Sequence, residues 1–141
     1  MIKNLSPFHL AFPVKNLLET KLFYTNFLGC TIGRTSNEWI DFNFYGHQIT
    51  AHLSPESCDI VNNNKVDEKI VPVRHFGLIM DWDDWHIAKN KLIQNKAEFI
   101  IEPYIRFKNK PGEQATLFIV DPSINGIELK SFKDNSMIFA T

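Results

Sequence analysis

Phe8-His9-Leu10-Ala11 and Arg74-His75-Phe76-Gly77 are the two stretches that decide the fold. Each sets one histidine inside a short apolar run, and the two histidines stand 66 positions apart. Working outward from the first, Phe8–Val14 reads as a strand closed by Pro13. Asn16 can cap the helix that follows, with Glu19 three positions on as in a capping box. Leu18, Leu22, Phe23 and Phe27 form an apolar stripe at helical spacing, and Gly29 supplies a stop. Strands are then expected at Thr31–Arg34, Trp39–Phe44 and His47–Leu53, with Gly46 in the hairpin between the last two.

The same order restarts at the second histidine. His75–Met80 reads as a strand, and Asp81 or Asp83 can cap a helix carrying Trp85, Ala88, Leu92 and Ile93 on one face. Phe99–Ile105, Ala115–Val120 and Ile127–Phe132 are strand candidates, separated by turns at Pro111-Gly112 and Asp121-Pro122. Both halves therefore read β-α-β-β-β, as a duplicated module. The first covers about 7–53 and the second about 72–132, within one domain of 1–141. Residues 54–71 hold Pro55 and the run Asn62–Asn64 without periodicity, and read as a linker or surface loop. Ala51-His52-Leu53 aligns with Ile127-Glu128-Leu129. His9 and His52 are 43 residues apart, His75 and Glu128 are 53 apart, and Phe107–Gln114 is the natural place for the excess.

Composition narrows the function classes. At 141 residues the chain can bury about two thirds of its unfolded surface. Hydrophobic residues make up 44% and charged residues 22%, which argues against disorder or a fibrous repeat. Fifteen Lys+Arg against 16 Asp+Glu leave a net charge of -1, so no basic footprint points to nucleic acid. No apolar run reaches membrane-spanning length. Cys30 and Cys58 have no CxxC spacing and read as free thiols of a reducing compartment, so a soluble cytoplasmic protein is expected.

His9 and His75 hold equivalent places on first strands, and His52 and Glu128 on last strands. Side chains alternate along a strand, so Gln48, Thr50 and His52 share a polar face opposite Ile49, Ala51 and Leu53. Two imidazoles and a carboxylate on one sheet face suit a divalent metal, with open positions for water, substrate or oxygen. Plainer readings stand beside this one. His47 and His86 read as structural, Glu128 can be a surface partner of Lys130, and the Phe23/Phe27 stripe reads as core.

The run Phe8-His9-Leu10-Ala11-Phe12-Pro13-Val14, then Phe23-Tyr24 and Phe27-Leu28-Gly29, resembles the opening of a vicinal oxygen chelate protein. That superfamily holds glyoxalase I, bleomycin resistance proteins and extradiol dioxygenases. Arg74-His75-Phe76-Gly77-Leu78 resembles the start of its second module. Asp121-Pro122-Ser123-Ile124-Asn125-Gly126-Ile127-Glu128-Leu129 resembles its closing signature, with Ile124 where glycine is usual. The resemblance spans roughly residues 7 to 132. It implies an α+β fold in which paired βαβββ modules form a U-shaped mixed sheet around a metal held by His9, His75 and Glu128. Trp39-Ile40-Asp41-Phe42-Asn43-Phe44, Gly46-His47-Gln48 and Gly112-Glu113-Gln114-Ala115-Thr116 look most like a small bacterial group known only as predicted extradiol-type dioxygenases.

The function this implies is an Fe(II)-dependent oxygenase acting on a small catechol-like substrate and O2. His52 would be an acid/base or a fourth ligand, and Gln48, Thr50, Arg106 and Gln114 would orient the substrate. Ni, Co, Zn or Mn are the alternative metals. A glyoxalase-like lyase and a metal-free binding protein of the resistance type are the alternative functions. His52 stands where glyoxalase I usually has Glu, which disfavours the lyase. The resemblance also implies a homodimer, with no nucleic-acid or membrane partner.

Overall fold

The computed structural model describes residues 5–58, 62–66 and 68–140. Readings that touch residues 1–4, 59–61, 67 or 141 lie outside them. The chain divides into two compact units, Met1–Asp59 and Ile60–Thr141. In the first, β1 (His9–Val14) leads into α1 (Leu17–Asn26), followed by β2 (Thr31–Thr35), β3 (Trp39–Phe44) and β4 (His47–Leu53). The second carries a hairpin of β5 (Asn63–Val66) and β6 (Lys69–Pro72). It continues with β7 (His75–Met80), α2 (Trp82–Gln94), β8 (Phe99–Arg106), β9 (Gln114–Val120) and β10 (Gly126–Phe132). The α+β class and the repeated β-α-β-β-β order are as expected.

Each unit holds a four-stranded mixed sheet, ordered β1-β4-β3-β2 in the first and β7-β10-β9-β8 in the second. In both, the first strand pairs in parallel with the last, so each histidine-bearing strand is a sheet edge. One face of each sheet packs on its helix. Val14, Phe42, Phe44, Ile49 and Ala51 are buried in the first unit, as are Leu117, Ile119, Ile127 and Leu129 in the second. Tyr24 of α1 stacks on Phe42 at 5.1 Å, and the Trp85 indole of α2 donates to the Leu129 carbonyl at 2.8 Å. Burying such aromatic bodies gives each helix its anchor while the polar tip of Trp85 remains satisfied.

Several local expectations need correcting. Asn16 does cap α1, its Oδ1 accepting from the Glu19 amide at 3.0 Å. The buried stripe, however, is Thr20, Phe23, Tyr24 and Leu28, whereas Leu18 and Leu22 are exposed. Apolar spacing alone could not say which side of a short helix meets the sheet. On α2, Trp85, Ala88 and Leu92 are buried but Ile93 is exposed. Residues 54–71 are no plain loop: Pro55–Ser57 forms a 3-10 turn and β5 pairs with β6. The excess length of the second module lies partly in the connection 107–113, which is longer than its counterpart 36–38 as expected, and partly in longer elements. α2 has 13 residues against 10 in α1, and β8 has eight against five in β2. In the tail, Asn135–Met137 forms a 3-10 turn capped by Asp134, which accepts from the Ser136 amide.

Cys30 is buried and Cys58 half-buried, the Cys58 thiol donating to the Ser54 carbonyl at 3.4 Å. No helix among the described residues is long and apolar enough to cross a membrane.

Candidate metal centre

His9 opens β1 directly opposite Gln48 of β4. Its Nδ1 lies 2.8 Å from Gln48 Oε1. The other end of that amide, Nε2, donates to Asp41 Oδ2 at 3.3 Å. Asp41 sits on β3 facing away from the helix and is buried. Its carboxylate also accepts from Thr50 Oγ1 at 2.7 Å and from Arg34 Nε at 3.3 Å. A buried carboxylate is tolerated only when its oxygens are satisfied, and here three donors meet it. A cavity of about 290 Å³ opens beside this cluster, with Arg34, Asp41, His47 and Gln48 in its wall.

His75 opens β7 opposite Gly126. Its Nδ1 lies 2.7 Å from the Pro72 carbonyl, and its Nε2 is 3.3 Å from Glu128 Oε2. The other carboxylate oxygen, Oε1, accepts from Thr116 Oγ1 at 2.6 Å and pairs with Lys130 Nζ at 3.3 Å. Lys130 is thus a partner of Glu128, as the plainer reading had it, but it uses only one of the two oxygens. Phe118 packs edge-on against the His75 ring at 4.9 Å. A cavity of about 260 Å³ is lined in part by His75, Glu128 and Lys130.

These contacts test whether the residues suit a divalent cation. A carbonyl or carboxamide oxygen only accepts, so in both rings Nδ1 carries a hydrogen, and a neutral ring then has its lone pair on Nε2. An imidazole that ligates through one nitrogen while an oxygen orients the other has this arrangement. In the second unit, the Nε2 lone pair of His75 then faces a carboxylate oxygen. Two acceptors at that distance repel unless a proton or a cation lies between them. The donor chemistry fits a metal ion. Among the described residues, neither unit by itself gathers three His, Cys, Asp or Glu side chains into a cluster, so each supplies only part of the expected set.

The strand register changes the expected correspondence between modules. His9 pairs with Gln48 and His75 with Gly126, so the counterpart of Glu128, two residues on, is Thr50. His52 corresponds to Lys130 instead. It pairs with Pro13, four residues along from His9, which is about 13 Å of strand. A ligand or acid/base partner of His9 must lie much closer, so the structure does not bring His52 to that ring. The alignment of His52 with Glu128 is therefore corrected by two positions.

The expected substrate-orienting residues are accounted for differently. Gln48 and Thr50 engage Asp41, and Gln48 also holds His9. Arg106 donates to Gln114 at 3.3 Å across the β8–β9 pair. Gln114 lies four positions along β9 from Phe118, the residue that pairs with Glu128, so this duo stands well away from the carboxylate. His47 accepts from the Phe8 amide at 2.9 Å, and His86 packs between Trp82 and Trp85. Both are structural, as expected. Sequence reasoning missed Asp41. Its one signal was a lone carboxylate alternating with Ile40, Phe42 and Phe44 in an otherwise apolar strand.

No family model and no curated protein matches the sequence. Solved structures do. A glyoxalase/bleomycin resistance protein/dioxygenase from Alicyclobacillus acidocaldarius is 29% identical, with 99% of this chain and 100% of that chain covered at a TM-score of 0.79. The fosfomycin resistance protein FosX from Listeria monocytogenes is 17% identical over 93% of this chain and 94% of its own, with a TM-score of 0.65. Lactoylglutathione lyase from Agrobacterium tumefaciens is 11% identical over 99% of both chains, with a TM-score of 0.63. The last two likenesses speak for the fold alone.

Proposed function

For a chain with the vicinal oxygen chelate fold, we propose a divalent-metal enzyme of the extradiol-dioxygenase type, with His9, His75 and Glu128 as its protein ligands. Fe(II) is the metal of this reading, and the substrates are a small catechol-like vicinal diol and O2. The carrying observation is the approach of His75 Nε2 to Glu128 Oε2 at 3.3 Å, with Nδ1 of the ring already held by Pro72, which sets an imidazole nitrogen and a carboxylate oxygen where one cation can meet both. Two imidazoles and one carboxylate leave coordination positions open for both substrates. When bound, the metal supplies Lewis acidity toward a substrate hydroxyl and a place for oxygen.

The chain's own residues do the rest. Thr116 and Lys130 hold Glu128 Oε1, which leaves Oε2 as the ligating atom. Lys130 also balances the carboxylate charge where water is partly excluded. Gln48 aims the His9 ring. Glyoxalase I usually carries a second carboxylate in its first module, but neither His52 nor Thr50, the register counterpart of Glu128, is one here. Thr50 donates its hydroxyl hydrogen to Asp41, so it offers no base. This favours the oxygenase over the lyase. Association as a homodimer belongs to the same reading.

The test is metal content in protein purified anaerobically without chelators, followed by oxygen uptake with catechols. About one Fe per chain, absent from the H75A variant, together with catechol-dependent oxygen consumption is the expected result. Stoichiometric Ni, Co or Zn without oxygen uptake would overturn the oxygenase in favour of a lyase. No metal bound, and none taken up when Fe(II), Ni(II), Co(II) or Zn(II) is added, would overturn both in favour of a metal-free binding protein.

A further inference from the structure

We propose that Asp41 and Gln48 are positioning residues for His9: Asp41, acting through the amide of Gln48, selects which ring nitrogen of His9 carries the hydrogen. The inference deepens the metal reading above and rests on it only for its consequence, not for its geometry.

A primary amide is two-faced, with an oxygen that accepts and a nitrogen that donates. Gln48 alone could present either end to His9 and so support either tautomer. Asp41 removes the choice. An ionised carboxylate only accepts, so it draws the Nε2 end of Gln48, at 3.3 Å. The Oε1 end is then left against His9 Nδ1, at 2.8 Å. Nδ1 must donate, and Nε2 keeps its lone pair for a metal. Thr50 and Arg34 complete the carboxylate's shell and hold it in place.

The fold does not require this carboxylate. Asp41 pairs with Thr50, and in the second unit the pair at the same register is Phe118 with Glu128. An apolar ring fills the matching place there, and burying a ring needs no donors at all. Replacing a buried ion cluster by apolar groups is often neutral or stabilising. What the first unit gains from Asp41 is orientation of Gln48.

The test uses the full-length, metal-free protein labelled with 15N-histidine, in which long-range 1H–15N spectra report the protonated ring nitrogen. His9 is assigned by the signal missing from H9Q. In the unmodified protein His9 should be protonated at Nδ1. In Gln48→Leu and Asp41→Leu the hydrogen should move to Nε2, the nitrogen that free imidazole side chains prefer. Asp41→Asn retains an oxygen able to accept from Gln48 and should restore Nδ1 protonation. Gln48 is exposed, so Gln48→Leu remains informative even if Asp41→Leu does not fold.

Titration with Ni(II) should show about 10- to 100-fold weaker binding in Gln48→Leu, the usual cost of losing a partner behind a ligand. His9 protonated at Nε2 in the unmodified protein, or at Nδ1 in either leucine variant, would overturn the proposal. If the unmodified protein takes up no metal, the ligand reading fails while the tautomer spectra still decide the role of Asp41.

Discussion

The two units build the same strand pair and hold their histidines by different means. His9 is held by a side-chain amide and His75 by the Pro72 backbone carbonyl. A carbonyl has no second orientation, so nothing stands behind Pro72 to choose one. An amide has two, and the first unit buries Asp41 to select between them. The carboxylates divide accordingly. Asp41 has both oxygens engaged by the donors Arg34, Gln48 and Thr50, whereas Glu128 has one oxygen held by Thr116 and Lys130 and the other facing His75. Duplication repeated a backbone. The chemistry was distributed unequally over it.

The sharpest way to break this comparison is at the closest backbone approach. Gly77 pairs with Glu128, and a Cβ there would fall on the Glu128 carbonyl. Its counterpart Ala11, paired with Thr50, already carries a Cβ. Gly77→Ala should therefore lose about 3 kcal/mol of stability in denaturant unfolding, the upper range for overpacking. Ala11→Gly should lose about 1 kcal/mol or less. Equal losses would mean that the two strand pairs are packed alike.

A smaller effect separates the turns before and within the last hairpins. Tyr45 and Gly46 lead into β4 with φ of 52° and 91°, so one of the two left-handed positions there is glycine. In the second unit the left-handed position is held by Ile124, with φ of 72°. Asp121 imposes that conformation by accepting from the Ser123 and Asn125 amides at 2.8 Å each. A branched side chain is strained there. Ile124→Gly should raise stability by about 1 kcal/mol, since relief of the left-handed strain exceeds the added chain entropy. A thermal scan in which the variant melts at or below the parent temperature would show that the Ile124 side chain, 43% exposed, gives more than its backbone costs.

The smallest effect is at His52, where His52→Ala should change metal affinity by less than about twofold. The strand separation from His9 puts the ring outside ligating reach. A tenfold loss would restore it as a ligand and contradict the register argument.

Much of the fold was legible because apolar alternation reports which residues can face a core. Trp39–Phe44, His47–Leu53 and His75–Met80 match β3, β4 and β7 to the residue. Gly29 and Gly46, both at positive φ, were read correctly as punctuation. The β5–β6 hairpin was not legible, because all four residues of β5 are exposed and leave no hydrophobic period. Leu18 and Leu22 misled for the reverse reason, being apolar residues on a helix too short to bury every such side chain. The candidate ligands were visible as residue types in repeated places. Their hydrogen-bond partners were not, because a partner such as Pro72 acts through its backbone and carries no signal in the side chain.

From the order of residues alone came the β-α-β-β-β repeat, the strand each histidine occupies and the presence of one carboxylate in the closing strand. Those follow from periodicity and turn chemistry, which are local. Register is not local. It depends on which residue of a first strand meets which residue of a last strand many positions later, and a slip of two keeps every side chain on its face. Apolar pattern therefore could not distinguish His52 from Thr50 as the counterpart of Glu128. Only the paired strands decided that, and with it which donors meet Asp41.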